Sequence, residues 1–87
     1  MAYHFQVITP QGKVYDAEVE HAQVPGDPGS FGVLSNHAAL ISSSTGGKLS
    51  IREKGGKNRS FTVGAGFFET RKNQAVFLAE SFAEHTA

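Results

Sequence analysis

Apolar and polar residues alternate with a period of two along most of this chain. Over residues 3–9, Tyr3, Phe5 and Val7 fall on one face and His4 and Gln6 on the other. That period, with β-favouring residue types, predicts a half-buried strand. Pro10-Gln11-Gly12-Lys13 then supplies a preset turn angle and a permissive glycine, so the chain reverses. Residues 14–24 alternate again, but the phase slips: Tyr15, Ala17 and Val19 are apolar at odd positions, Ala22 and Val24 at even ones. A slip of one residue turns every later side chain to the opposite face. A bulge or sharp bend is therefore expected near Glu20-His21, with the strand passing between two layers.

Residues 24–40 read as a long loop, VPGDPGSFGVLSNHAAL, in which Phe31, Val33 and Leu34 stand among prolines and glycines. The segment 37–41 suits a short helical turn or the approach to a strand, and 42–47 reads as a second flexible connection. Regular alternation returns at 48–52 and 59–63, with Leu49, Ile51, Phe61 and Val63 on the apolar face. The glycine-centred run 53–58 between them predicts a β-hairpin. Gly64-Ala65-Gly66 permits a corner, Lys72-Asn73 a second hairpin turn between strands at 67–71 and 74–79, and 80–87 is expected to fray or to begin a helix. Eight to ten short strands at this spacing predict an all-β sandwich or flattened barrel.

Composition narrows the chemistry. Eighty-seven residues make one domain with a small core. Eight basic residues balance eight acidic ones, and no cysteine is present. No strong field would draw the chain to nucleic acid or an anionic lipid surface. Disulfides, thiolate catalysis and zinc–sulfur sites are excluded. No apolar run approaches the roughly 18–20 residues of a membrane helix. Residues 1–5 lack the layout of a signal peptide, so an intracellular domain is the expectation.

Four histidines, at 4, 21, 37 and 85, show no metal-ligand spacing. Gly46-Gly47-Lys48 resembles the end of a phosphate-binding loop, but Ser42 stands where its first glycine belongs and Leu49 where Ser or Thr belongs. Ser42, Ser43 and Ser44 with His37 and Asp27 lack the G-x-S-x-G elbow of a hydrolase. Seven phenylalanines could serve a base-stacking surface, but Phe5 and Phe61 lie on the apolar faces of their strands, where aromatics fill a core. For the 24–40 segment two readings stand side by side: a plug for one end of the sandwich, or a protein-docking surface with a polar rim of Ser30, Ser35, Asn36 and His37.

Three stretches carry a family resemblance. T-P-x-G-K-V-Y at 9–15, V-P-G-x-x-G-x-F-G-V-L-x-x-H-A-x-L at 24–40 and G-x-G-F-F-E at 64–69 resemble, in order, the epsilon subunit of the F-type ATP synthase. The resemblance covers nearly the whole chain to about Glu80. It implies a flattened ten-stranded β-sandwich of two antiparallel sheets over residues 1–80, with 81–87 as a frayed tail or the start of a truncated helix. It implies a non-catalytic rotor subunit without cofactor, peripheral to the membrane on its cytoplasmic or equivalent face. That subunit packs on the gamma subunit and the c-ring to couple proton translocation to ATP synthesis. The implied contact loop comprises Ser30, Phe31, Gly32, Val33, Leu34, Ser35, Asn36, His37, Ala38 and Leu40, with His37 matching the family's histidine. Ser35-Asn36-His37-Ala38-Ala39 stands where the family commonly reads P-G-H-A-P, so its two prolines are replaced. With the chain ending at Ala87, the inhibitory helical hairpin of longer members is expected to be absent. The alternative from another class is a free-standing β-sandwich module binding a ligand such as carbohydrate, marked by a row of exposed aromatics.

Overall fold

The computed structural model describes residues 2–26, 29–34 and 39–85. β1 (Tyr3–Thr9) buries alternate residues along its whole length, as its sequence pattern requires. It pairs antiparallel with the first half of β2 (Gly12–Gly26) around a two-residue turn at Pro10-Gln11. The Gln11 amide donates to Thr9 Oγ1 at 3.2 Å within that turn.

β2 joins the two halves of the molecule. Its register shifts between Val19 and His21, leaving Glu20 as the extra residue of a bulge. Before the bulge Val19 is buried, and after it Ala22 and Val24 are buried, so the inward face changes parity where the sequence pattern slips. Beyond it, His21, Ala22 and Gln23 pair both with β3 (Gly29–Leu34) and with β5 (Gly47–Glu53), which must therefore lie on opposite edges.

The other strands extend the sheet from these partners. β6 (Asn58–Val63) follows β5 through the expected hairpin, and β9 (Phe82–His85) lies beside β6. On the other side β8 (Gln74–Ala79) pairs with β1, β7 (Gly66–Arg71) with β8, and β4 (Leu40–Ser44) with β7. The β7–β8 turn is the two residues Lys72-Asn73, and Asn73 takes the left-handed conformation at φ 61°. Asparagine tolerates that region better than other side chains do.

Two expectations are corrected. Among the described residues there are nine strands, joined in one hydrogen-bonded sheet rather than two. β2 carries the bonding through its bulge without a break, so it serves both layers as one strand. The sheet is also mixed, because β1 and β8 run parallel. The expected frayed tail or helix after residue 80 is corrected as well: residues 82–85 form β9. Phe82 supplies the apolar contact, its ring centroid 4.8 Å from that of Phe61. Arg59 on β6 adds an ion pair with Glu84, its Nε 2.9 Å from Oε2.

One apolar cluster draws on both halves, with Phe5, Val7, Phe68 and Phe77 from one and Val24, Leu49, Ile51 and Phe61 from the other. Burying each such side chain contributes about 1.5–3 kcal/mol. Several contacts tie the layers together. Tyr15, before the bulge, packs on Phe61 at 5.0 Å between ring centroids. Its hydroxyl donates to Glu53 Oε2 at 2.6 Å. Burial, with the Glu53 carboxylate alongside, pushes this phenol well above its ordinary value of 10.0.

At the crossing from β4 to β5, buried Ser44 donates from Oγ to the Pro25 carbonyl at 2.6 Å and accepts from the Gly46 amide at 3.0 Å. Gly46 has φ +93°, and a Cβ there would stand 2.6 Å from the Val63 carbonyl oxygen. Glycine is what this corner admits.

Candidate protein-docking surface

Alternation on β7 and β8 sends Phe68, Thr70, Ala75, Phe77 and Ala79 into the buried set and leaves Phe67, Glu69, Val76 and Leu78 on the outer face. Register then decides which outer residues meet. Phe67 is opposite Leu78, and Leu78 is opposite Ile8 of β1, giving an apolar row across three strands. The next row runs Ile41, Glu69, Val76. Ile41 is 69% exposed, Phe67 57% and Leu78 46%.

A hollow of about 570 Å³ opens beside the first row, lined by Pro10, Ala65, Phe67, Leu78 and Glu80 among others. Polar groups flank the face. Ser42 and Ser43 lie on the β4 edge, and Arg71 pairs with Glu69 at 3.5 Å. An exposed apolar centre with a polar border is the anatomy of a protein interface, whereas scattered single apolar residues are ordinary.

Near this face Asp16 accepts from His4 Nε2, and from Lys13 Nζ at 2.9 Å. The Lys13 hydrogen bond, then the His4 one, hold its carboxyl below the ordinary 3.8. A carboxyl depressed by folding contributes stability above its unfolded value and loses it as pH falls through the folded one. The Asp16 carboxyl, followed by carbon-13 NMR, is expected to titrate below 3.8. The difference in melting temperature between wild type and Asp16→Asn is expected to vanish through that same interval. A midpoint at or above 3.8 would contradict the assigned contacts.

The contact loop named from the sequence is distributed over more than one element. Ser30, Phe31, Gly32, Val33 and Leu34 belong to β3, whose backbone pairs with β2 from Pro25 back to His21. A strand thus replaces the first part of the expected loop. Ser35, Asn36, His37 and Ala38 lie outside the described residues. Leu40 begins β4 opposite Thr70 and is 46% exposed. The serines at 42–44, expected in a flexible connection, are also in β4.

The apolar row itself was missed by sequence reasoning. Its signal was out-of-phase apolar residues: Ile8 and Leu78 occupy the positions that alternate with the buried Phe5–Val7 and Phe77–Ala79 sets. Among the described residues no group of three or more histidine or acidic side chains could hold a metal ion. Among them no helix is long and apolar enough to cross a membrane.

Residues 2–85 match the family model described as ATP synthase, Delta/Epsilon chain, beta-sandwich domain. The chain belongs to this family. The ATP synthase epsilon chain of Caulobacter vibrioides is 32% identical over 81 residues, which cover 93% of each chain. That of Campylobacter concisus is 35% identical over 77 residues, 88% of this chain and 60% of the relative. The chain thus spans about three fifths of the Campylobacter relative's length.

The fold of this delta/epsilon-type domain recurs in a solved structure of the Euglena gracilis mitochondrial ATP synthase. That match has a TM-score of 0.88 at 15% identity, covering 95% of this chain and 53% of the other. A Tetrahymena thermophila mitochondrial ATP synthase central stalk and c-ring structure matches with a TM-score of 0.75 at 14% identity, covering 92% and 64%. At these identities the likeness is one of fold. The family's beta-sandwich description fits the two layers closed over a shared core.

Proposed function

We propose that this chain is the epsilon-type subunit of an F-type ATP synthase central stalk, non-catalytic and peripheral to the membrane. It works by docking: the sandwich packs on the gamma subunit and presents the 30–40 segment to the c-ring, so that rotation coupled to proton flow reaches the catalytic head. The observation that carries this reading is the family match across residues 2–85. The row of exposed Phe67 and Leu78 with half-buried Ile8 gives it a physical basis, because torque passes through packed surfaces and a few apolar anchors dominate such contacts. Gamma is assigned to this apolar face and the c-ring to the segment around His37.

Reconstitution of the complete synthase in proteoliposomes tests the assignment. His37→Asp is expected to lower proton-driven ATP synthesis severalfold, with circular dichroism and melting temperature recorded on the isolated subunit to separate folding from coupling. A loss on the order of 2 kcal/mol is typical of a hot-spot side chain. Wild-type synthesis rates in a fully assembled complex would overturn the role given to this segment.

A further inference from the structure

The outer face of β2, β5 and β6 has a different chemistry. Four of the chain's eight lysines and arginines, Lys48, Arg52, Lys57 and Arg59, line one hollow of about 650 Å³ there. Among the described acidic residues only Glu84 lines it, and Glu84 is paired with Arg59, which also pairs with Glu53. A chain of zero formal charge thus folds to concentrate cations in one concavity. Elsewhere Lys13 and Arg71 each have a carboxylate partner, and Lys54 and Lys72 enter no ion pair among the described residues. Lys48, Arg52 and Lys57 enter no ion pair among the described residues.

We propose that this hollow binds an extended acidic segment of a partner polypeptide. Lys48, Ser50 and Arg52 alternate to the same side of β5, so successive outward positions are about 6.8 Å apart and Lys48 to Arg52 spans about 14 Å. An extended chain with a carboxylate at every second residue has the same repeat. A single phosphate cannot bridge that span. Ser60, opposite Ser50, and Asn58, opposite Arg52, add hydroxyl and amide groups between the cations. Among the described residues no Phe, Tyr or Trp lines the hollow, and its one aromatic ring is the His21 imidazole. Among the described residues the one apolar lining residue, Ile51, is a buried core side chain with nothing to offer a lipid surface. Lys48, Arg52 and Arg59 are held on paired strands, which fixes their spacing before any partner arrives.

Fluorescence anisotropy with a labelled ten-residue peptide alternating Glu and Thr tests this on the whole chain. Saturable binding is expected, weakening as salt rises from 50 to 300 mM in line with charge screening. The double variant Lys48→Glu/Arg52→Glu is expected to bind at least tenfold more weakly. The neutral pair Lys48→Gln/Arg52→Gln should fall in the same direction, and Lys72→Glu in the β7–β8 turn should change affinity less than twofold. Amide shifts in NMR are expected at Ser50, Arg52 and Ser60. Absence of saturable binding, or equal binding by the double variant, would overturn the proposal. So would tighter, Lys48- and Arg52-dependent binding of tripolyphosphate, single-stranded DNA or phosphatidylglycerol vesicles, or a salt-sensitive dimer abolished by the same variant.

Discussion

Gly66→Ala is expected to remove on the order of 4 kcal/mol from the folding free energy, a large share of what a domain of this size holds. Gly66 sits on β7 opposite Ala79, at the end of the β7–β8 ladder. A Cβ there would fall deep inside the contact distance of the Leu78 carbonyl oxygen and 2.8 Å from the carbonyl carbon. The Ala79 Cα would be 3.1 Å away. All three are backbone atoms of a paired strand, so no rotamer change relieves the overlap. Space can come only from parting the strands, which opens ladder hydrogen bonds and disturbs the buried Phe77 and Ala79 beside them. Urea denaturation is expected to give a much lower midpoint, or a protein recovered insoluble. A folding free energy within about 0.5 kcal/mol of wild type, the range of ordinary surface changes, would contradict the close approach described.

Phe67→Asp should do the opposite: leave the fold and remove the docking function. The side chain is 57% exposed and its inward neighbour Phe68 carries the core contact, stacking near Phe5 at 6.1 Å. Stability is expected to change by about 0.5 kcal/mol or less. Binding to the gamma subunit is expected to weaken by at least about 2 kcal/mol, roughly 30-fold, because an aromatic anchor is lost and a carboxylate is buried against an apolar partner surface. Leu78→Asp, directly opposite, should act alike, and the double variant should show less than the sum because both disrupt one row. Calorimetric titration against purified gamma measures both effects. Unchanged affinity in Phe67→Asp would move the interface to another face.

Much of this architecture can be read from local pattern. The alternation of residues 3–9, the phase slip at Glu20, the glycine hairpin at 53–58 and the Lys72-Asn73 turn are each local, and each reappears in the fold. What escaped the pattern is non-local. Residues 29–34 and 40–44 look like loop because glycine and serine interrupt any alternation, yet β2 and β7 recruit them by pairing. Tertiary context overrides weak β-propensity there. Phe82 has too few apolar neighbours to mark a strand by itself and joins the sheet through Phe61 and the Arg59–Glu84 pair.

The parallel β1–β8 pair unites residues some seventy positions apart, and no local signal carries such a pairing. The docking face was missed, although part of its signal is local. Two adjacent phenylalanines on one strand cannot both face a core, and register with Ile8 and Leu78 makes the outward one part of a surface. The segment around His37 was marked by its prolines, glycines and polar rim as a plug or a docking surface, and the c-ring was named for it by the family resemblance alone.

Size-exclusion chromatography of an equimolar mixture with purified gamma subunit tests the central claim most directly. Co-elution as a one-to-one complex, lost in Phe67→Asp while that variant keeps its melting temperature, is the result this account predicts. Separate elution of the two wild-type proteins, under conditions that assemble other central-stalk components, would contradict it.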